Sequence, residues 1–498
     1  MRYVFCQNKD FIKRFIFILQ LLIWGNYHVK AQTTEAIAPN AVVPTENQLK
    51  YQQMEIIGFI HFSMNTFTGK EWGYGDDDPK HFNPEQCNAE QWVEAAKAGG
   101  LKELILTAKH HDGFCLWPSK YTEYSIKNSP YKNGKGDIVK EFTDACHKNG
   151  IKVGLYLSPW DRNHKDYGKP EYITYYRNQL KELLTHYGEI NEIWFDGANG
   201  GDGYYGGARE KRIIDKKTYY QWAETIKLVK SLQPNVLIFS DAGPDIRWVG
   251  NENGAAGETF WSTISDKNII PGDADLQYLN TGEPGGNKWM IGQCDVSIRP
   301  GWFYHAQEDS LVKTPQQLMR IYEQSVGRNA VLLLNIPPDC RGLICEKDIA
   351  TLKAFKKTID ETFRTNLALH KAVTASNYRL KNELFSPENI VDNDPQTFWT
   401  TDDEMTNAEL VIDLGSIVTF DRIMLQEAIA LGQRINAFEI SAYQDGAWKL
   451  LTSGTTVGYK RLLKVPVTSA SKIRLQIKEA NNPPAISGFG LFQSADKE

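Results

Sequence analysis

Between residues 55 and 364, short unbroken apolar runs alternate with amphipathic helical patterns, and nearly every apolar run ends on a polar or aromatic residue. Runs of this kind read as parallel strands, which are buried on both faces and need a covering crossover between one strand and the next. Glu55-Ile56-Ile57-Gly58-Phe59-Ile60 runs into His61, and Leu101 to Ala108 runs into Lys109-His110-His111. Ile151 to Leu157 ends in Ser158-Pro159-Trp160-Asp161, Ile193-Trp194-Phe195 ends in Asp196, and Val236 to Phe239 ends in Ser240-Asp241. Trp289 to Gly292 and Val331 to Leu334 supply two more strands, and one further strand must lie near Arg247-Trp248-Val249-Gly250. Helices are expected over Asn88 to Gly99, Asp137 to Asn149, Pro170 to Tyr187 and Thr218 to Leu232, with two more starting at Pro315 and Glu346. Asn or Asp caps and Gly stops bound several of them. About eight strand–helix units in about 300 residues predict a (β/α)8 TIM-like barrel. A doubly wound sheet is the alternative, but it wants a Gly-rich phosphate loop after its first strand, and His61-Phe62-Ser63-Met64 is not one.

From about Asn366 the pattern changes to short alternating strands over Glu409 to Leu414, Arg422 to Gln426, Ala437 to Tyr443, Trp448 to Thr452 and Lys472 to Ile477. Gly, Asn, Asp and Pro turns separate them, which predicts an antiparallel β-sandwich. At the other end, Lys9, Lys13 and Arg14 precede the apolar run Phe15 to Trp24, and Val29-Lys30-Ala31 offers a small-residue cleavage site. This is the pattern of a secretory signal. Three regions are therefore expected: residues 1–31 a signal peptide, 32–364 the barrel and 365–498 the sandwich. The apolar run is too short to span a bilayer, and no later segment is longer, so the expectation is an exported, non-membrane protein of the periplasm or extracellular space. The six cysteines after the signal form neither a disulfide framework nor a metal-binding pattern. Cys340 and Cys345 are spaced to bridge, and free buried thiols are the equal alternative.

Strand C-terminal ends are where a (β/α)8 barrel builds its site. His61, His110, His111, Trp160, Asp196 and Asp241 all fall there. A net charge of −5 argues against a nucleic-acid partner. With 13 Trp and 23 Tyr the chain is rich in the rings that stack on sugars, although cores use them too. Metal hydrolysis is a weaker reading: His61 stands without a second histidine two residues away, and the adjacent His110 and His111 would point opposite ways on a strand. Glycoside hydrolysis needs two carboxyl groups, about 5–5.5 Å apart for retention and farther for inversion. Asp196 is the first, as nucleophile. The residues alone leave the second open among Glu252, Glu258, Asp241, Asp245 and Glu71.

Five motifs taken in order resemble the retaining α-L-fucosidases of glycoside hydrolase family 29. They are His61-Phe62-Ser63, Glu71-Trp72-Gly73, Lys109-His110-His111-Asp112-Gly113-Phe114, Tyr156-Leu157-Ser158-Pro159-Trp160 and Trp194-Phe195-Asp196-Gly197. The resemblance implies Asp196 as nucleophile and His61, Glu71, Trp72, His110, His111 and Tyr156 as residues that hold the fucose. Trp160, Trp194, Arg247 and Trp302 are expected beside them. Gly243 to Glu252 resembles the branch that cleaves α-1,3/1,4-linked fucose, which implies Glu252 as acid/base, with Glu258 in reserve. No catalytic cofactor is implied, and the implied partner is a fucosylated oligosaccharide. A Gly- and Tyr-rich insert, Gly200 to Gly207, departs from the motif pattern and is expected to shape the aglycone side. Asn389 to Trp399 resembles a discoidin-like (F5/8 type C) module, which implies a structural Ca²⁺ held by Asp392 and Asp394; an Asx-rich turn is the equal alternative. The competing reading from another class is a catalytically weak protein that only binds glycans.

Overall fold

A computed structural model describes residues 37–269, 272–273 and 275–494. The expected signal segment lies outside the described residues. Contacts separate an N-terminal unit ending at Pro39 from a body of residues 40–498, to which everything below belongs.

Eight parallel strands close into a barrel: β1 (Ile56–Ile60), β2 (Glu103–Lys109), β3 (Lys152–Leu157), β4 (Glu192–Trp194), β5 (Leu237–Ser240), β6 (Ile246–Trp248), β7 (Ile291–Ser297) and β8 (Val331–Asn335). β1 closes the ring by pairing with both β2 and β8. All five residues of β1 and all seven of β2 are buried, as their unbroken apolar runs require. Helices start where short polar side chains can take up free backbone N–H groups. Asn88 caps Ala89–Ala98, Asp137 caps Ile138–Asn149, and Thr314 with Gln317 forms a capping box on Pro315–Ser325.

The barrel departs from regular alternation at one place. β5 and β6 are joined by a short turn with no helix, and β6 is followed by an excursion from Val249 to Met290. Among its described residues that excursion contains a short α-helix, Leu276–Thr281, a 3-10 turn, Asp266–Asn268, and a small antiparallel pair, Thr263–Ile264 with Lys288–Trp289. The strand expected at Trp289 therefore splits: Lys288–Trp289 belongs to the small pair, and the barrel strand begins at Ile291 and runs on to Ser297. The hidden strand near Arg247 is β6.

The C-terminal domain comprises β9 (Ala372–Ala375), β10 (Trp399–Thr400), β11 (Ala408–Glu427), β12 (Ile435–Gln444), β13 (Ala447–Gly454), β14 (Arg461–Ala480) and β15 (Ala485–Phe492). The segments read as two strands, Glu409 to Leu414 and Arg422 to Gln426, are halves of one strand. Its first half pairs with β9 and the second half of β14; its second half pairs with β15 and the first half of β14. Register shifts between Asp413/Val418 and Phe420/Arg422 mark where the strand passes from one layer to the other. Leu410 and Ile412 from one half share a buried cluster with Ile423 and Leu425 from the other, which is the core of a sandwich.

The sandwich is bonded to the barrel. Gln433 Nε2 donates to the Phe260 carbonyl at 2.8 Å, and Gln433 Oε1 accepts from Ser262 N at 2.9 Å. Phe260 N donates to Thr456 Oγ1 at 3.0 Å. Arg461 and Arg328 both pair with Glu258, the latter at 2.7 Å. All four contacts made by Gln433, Thr456 and Arg461 grip the excursion after β6, so the sandwich supports the part of the barrel that lacks a covering helix.

Inside the barrel, Glu103 and Glu192 are fully buried. Glu103 Oε2 accepts from Asn191 Nδ2 at 2.8 Å and Glu192 Oε1 from Gln293 Nε2 at 2.9 Å. The other oxygen of each has no partner. Gly154, on the strand between them, leaves room for Glu103, whose Oε1 would lie 3.2 Å from a Cβ at that position. Burial pushes both acids up: Glu103, well above the usual range, also feels the Glu192 charge, and Glu192 is raised to about 8. An isolated buried carboxylate is costly, so both keep their protons. The unfolded chain gives up that proton near pH ~4.3, so unfolding releases a proton between there and about 8. The associated stability is full at acidic pH and is lost as pH rises through that window, at up to ~1.4 kcal/mol per pH unit. Glu192→Gln, which cannot ionise, should show a shallower fall in Tm between pH 5 and pH 8 than the wild type. An unchanged slope would remove Glu192 from this account.

Candidate active site

A cavity of about 490 Å³ opens at the C-terminal ends of the strands. Its floor is aromatic. Trp194, at the end of β4, stacks on Phe239 with ring centres 4.0 Å apart, and Phe59 and Tyr156 pack against it at 5.1 and 5.3 Å. Trp194 Nε1 donates to Gln293 Oε1 at 2.7 Å, which fixes its rotation. These rings close the cavity from below.

Three histidines line one wall in neutral form, each with a proton position set by its neighbours. Burial lowers all three, taking His61 to about 3 and His110 well below its usual range, with the neighbouring histidines adding to it. His61 Nδ1 donates to Asn335 Oδ1 at 2.9 Å, because the Asn335 amide N donates to Ser297 Oγ and the Trp302 carbonyl. Ser158 Oγ donates to the Trp160 carbonyl at 2.7 Å, so it accepts from His111 Nδ1, also at 2.7 Å. His110 Nδ1 accepts from Asn65 Nδ2 at 3.4 Å. The ring nitrogens left over are acceptors on His61 and His111 and a donor on His110. Sugar hydroxyls, which both donate and accept, suit such a wall.

Asp196 follows β4, as a strand-end acid should. Its Oδ1 accepts from Ala198 N at 2.7 Å, and its Oδ2 accepts from the Tyr156 hydroxyl at 3.1 Å. His111 Nε2 lies 3.8 Å from the same Oδ2. Both of these atoms are acceptors, so a hydroxyl donor between them is what the gap lacks.

Glu252 lies on the Gly250-to-Gly254 loop and opens on the same cavity. Its Oε2 accepts from Trp302 Nε1 at 3.1 Å. Burial raises its pKa, and the charges of Asp196 and Glu71 raise it further, while the indole hydrogen bond opposes them. A carboxyl whose pKa is raised beside one that is held by two donors is the kind of pairing that acid-assisted displacement uses. Glu71 is committed to the loop after β7, accepting from Trp302 N at 2.9 Å, Phe303 N at 3.3 Å and His305 Nε2 at 2.7 Å. Asp241 accepts from Gly272 N at 2.5 Å and is raised to about 6, by burial first and by the Asp196 charge second.

The structure brings His61, Glu71, Trp72, His110, His111, Trp194, Asp196, Glu252 and Trp302 to one cavity wall. It sets others behind or away from that wall. Trp160 is buried against His111 and Trp72 and donates from Nε1 to the Tyr205 hydroxyl at 2.9 Å. Arg247 is fully buried and donates to the carbonyls of Leu279, Met290 and Trp261, so it holds the excursion in shape. Glu258 sits at the seam with the sandwich, and Asp245 is paired with Lys230 at 2.7 Å. The Gly-rich insert is a hairpin, Gly201–Gly203 with Glu210–Arg212. Arg162 ties it to the Trp72 loop, donating from Nε to the Asp202 carbonyl and from Nη1 to the Gly73 carbonyl, each at 2.7 Å. Trp72, 54% exposed, stands at the mouth.

In the sandwich, Asp392 Oδ1 accepts from Asp394 N at 2.8 Å, Asp392 Oδ2 from Thr397 Oγ1 at 2.6 Å, and Asp394 Oδ1 from Gln396 N at 2.9 Å. The turn's own donors occupy these carboxylates, and among the described residues no group of three His, Cys, Asp or Glu side chains could hold a metal ion. The hydrogen bonds are those of an Asx-rich turn.

Sequence reasoning missed Asp295 and Trp248 on the cavity wall. Asp295 is legible once β7 is drawn to Ser297: Gln293 points into the barrel, and a strand alternates by two.

The alpha-L-fucosidase family profile matches residues 21–360, and the F5/8 type C domain profile matches residues 372–489. Alpha-L-fucosidase 1 of Arabidopsis thaliana is 43% identical over 459 residues, 91% of this chain and 88% of that protein. The putative alpha-L-fucosidase 1 of Oryza sativa subsp. japonica is 43% identical over 465 residues, 93% and 87% of the two chains. Among solved structures, a putative alpha-L-fucosidase from Bacteroides thetaiotaomicron superposes with a TM-score of 0.85 at 40% identity, covering 92% of this chain and 99% of that one. A glycoside hydrolase 29 fucosidase from Ruminococcus gnavus in complex with fucose gives 0.83 at 36% identity, covering 93% and 97%. With likeness of this extent over both domains, the chain belongs to the alpha-L-fucosidase family of glycoside hydrolases, family 29, and carries a C-terminal F5/8 type C domain.

Proposed function

We propose that the protein is an exported, retaining exo-α-L-fucosidase that releases terminal α-1,3/1,4-linked L-fucose from oligosaccharides or glycoconjugates. The observation that carries the mechanism is the pairing of Asp196 and Glu252 on one cavity, the first fixed by two donors and the second inclined to stay protonated. The Asp196 carboxylate attacks the anomeric carbon as Glu252 gives its proton to the departing glycosidic oxygen. Glu252, now a carboxylate, takes a proton from water as that water displaces Asp196 from the same carbon. The fucose leaves with its original anomeric form. No step calls on a metal. The linkage preference rests on the resemblance of Gly243 to Glu252 to the α-1,3/1,4 branch. The export rests on the basic and apolar pattern of the first 31 residues.

Replacing Asp196 with Ala should lower fucose release by a factor of about 10³ or more, and Glu252→Ala by about 10²–10⁴, with azide partly restoring turnover only in the second. Nuclear magnetic resonance of the first-formed sugar should read α-fucose. Early β-fucose would mean inversion and would sink the nucleophile assignment. Lewis-type trisaccharides should be cleaved at least tenfold faster than 2′-fucosyllactose at equal concentration; the reverse order would remove the linkage proposal and leave the mechanism standing. Trp302→Phe deletes the donor that favours ionised Glu252, so the alkaline limb of kcat/KM should move to higher pH. A limb that stays put would show that the bond to Glu252 does not govern its proton.

A further inference from the structure

Asp295 lies two residues before the end of β7, 4% exposed, on the wall of the cavity. Its Oδ1 accepts from Trp248 Nε1 at 2.7 Å. Its main-chain carbonyl accepts from Gly254 N at 3.2 Å, which fixes it against the loop that carries Glu252. Its Oδ2 has no protein donor and is not among the buried atoms left unpartnered, so it opens on the cavity. The charged groups that act on it are Glu252 from the loop after β6 and Asp196 from the end of β4, both acids. Among the described residues, no lysine or arginine lines the cavity. In the eight-stranded ring β7 lies opposite β3, the strand that carries Tyr156.

We propose that Asp295 is a binding residue for the fucosyl unit itself, its carboxyl donating from Oδ2 to a ring hydroxyl oxygen on the β7 side of the cavity. Its depth favours the fucosyl unit over the aglycone, because it sits on the strand and not on the rim. The histidine wall offers mostly acceptors, and a neutral acid supplies a donor. The state is physically enforced: burial, then the Glu252 charge, push this carboxyl up to about 8, so it is protonated at neutral pH. The inference rests on the fucosidase reading above.

The test is fucose binding by calorimetry, which needs no turnover. Asp295→Asn keeps both the acceptor for Trp248 and a donor toward the cavity, and should bind fucose within about threefold of the wild type at pH 6. Asp295→Leu loses the donor and should bind about tenfold more weakly, the loss of one hydrogen bond. Wild-type affinity should fall between pH 7 and pH 9, and the Asn variant, which cannot ionise there, should fall less; Glu252 and Asp241 are common to both proteins and cancel in the comparison. Equal binding by the Leu variant, or identical pH profiles for wild type and Asn, would overturn the proposal. If Leu does not fold, the Asn profile decides alone. Failure of the wild type to bind fucose at all would instead overturn the fucosidase reading.

Discussion

Six carboxyl groups open on one cavity, Glu71, Asp196, Asp241, Glu252, Asp273 and Asp295, and among the described residues no lysine or arginine lines it. Like charges in a poorly solvated space cannot all persist, so protons must remain on some of these groups. The rest of the site follows from how that burden is distributed. Asp196 is given two donors, and Glu71 is given three from the loop after β7. Glu252 and Asp295 each receive one indole N–H. Burial raises Glu252, Asp241 and Asp295, taking Asp241 to about 6 and Asp295 to about 8, which separates acids that would otherwise behave alike. The histidines, kept neutral by burial, add no positive charge to relieve the acids, and their ring nitrogens are left for hydroxyls. The cup therefore suits an uncharged, hydroxyl-rich ligand and disfavours an anionic one.

The same economy appears at the other end of the barrel. Glu103 and Glu192 hold their protons because burial dominates at both, and the Gln293 amide connects Glu192 to Trp194 on the cavity floor. Floor and interior are thus one hydrogen-bonded column, with an aromatic ring at its top.

Much of this was legible in the residues. Strand interiors are apolar and their ends are not, and that contrast alone locates His61, His110, His111 and Asp196. What the chain order could not convey was depth. Glu252 and Glu258 are six residues apart, yet one opens on the cavity and the other pairs with arginines at a domain seam. Arg247 follows Ile246 in a barrel strand like any site residue, but three carbonyls hold it in the interior. Asp295 was hidden by a strand end drawn too early, since an acid inside a buried strand looks like a turn once the strand is cut at Gly292. In the sandwich, two short patterns were one bent strand, because the bulge that turns a strand between layers carries the same small and polar residues as a loop.

The seam between the domains bears on how such chains can be recombined. Gln433, Thr456 and Arg461 hold Phe260, Ser262 and Glu258, a few residues after the loop that presents Glu252. The sandwich is therefore part of the scaffold of the loop that carries Glu252 and not an appendage hung on a finished barrel. A chimera that grafts this barrel onto another protein's tail would inherit the chemistry only if both sides of that seam were transplanted together.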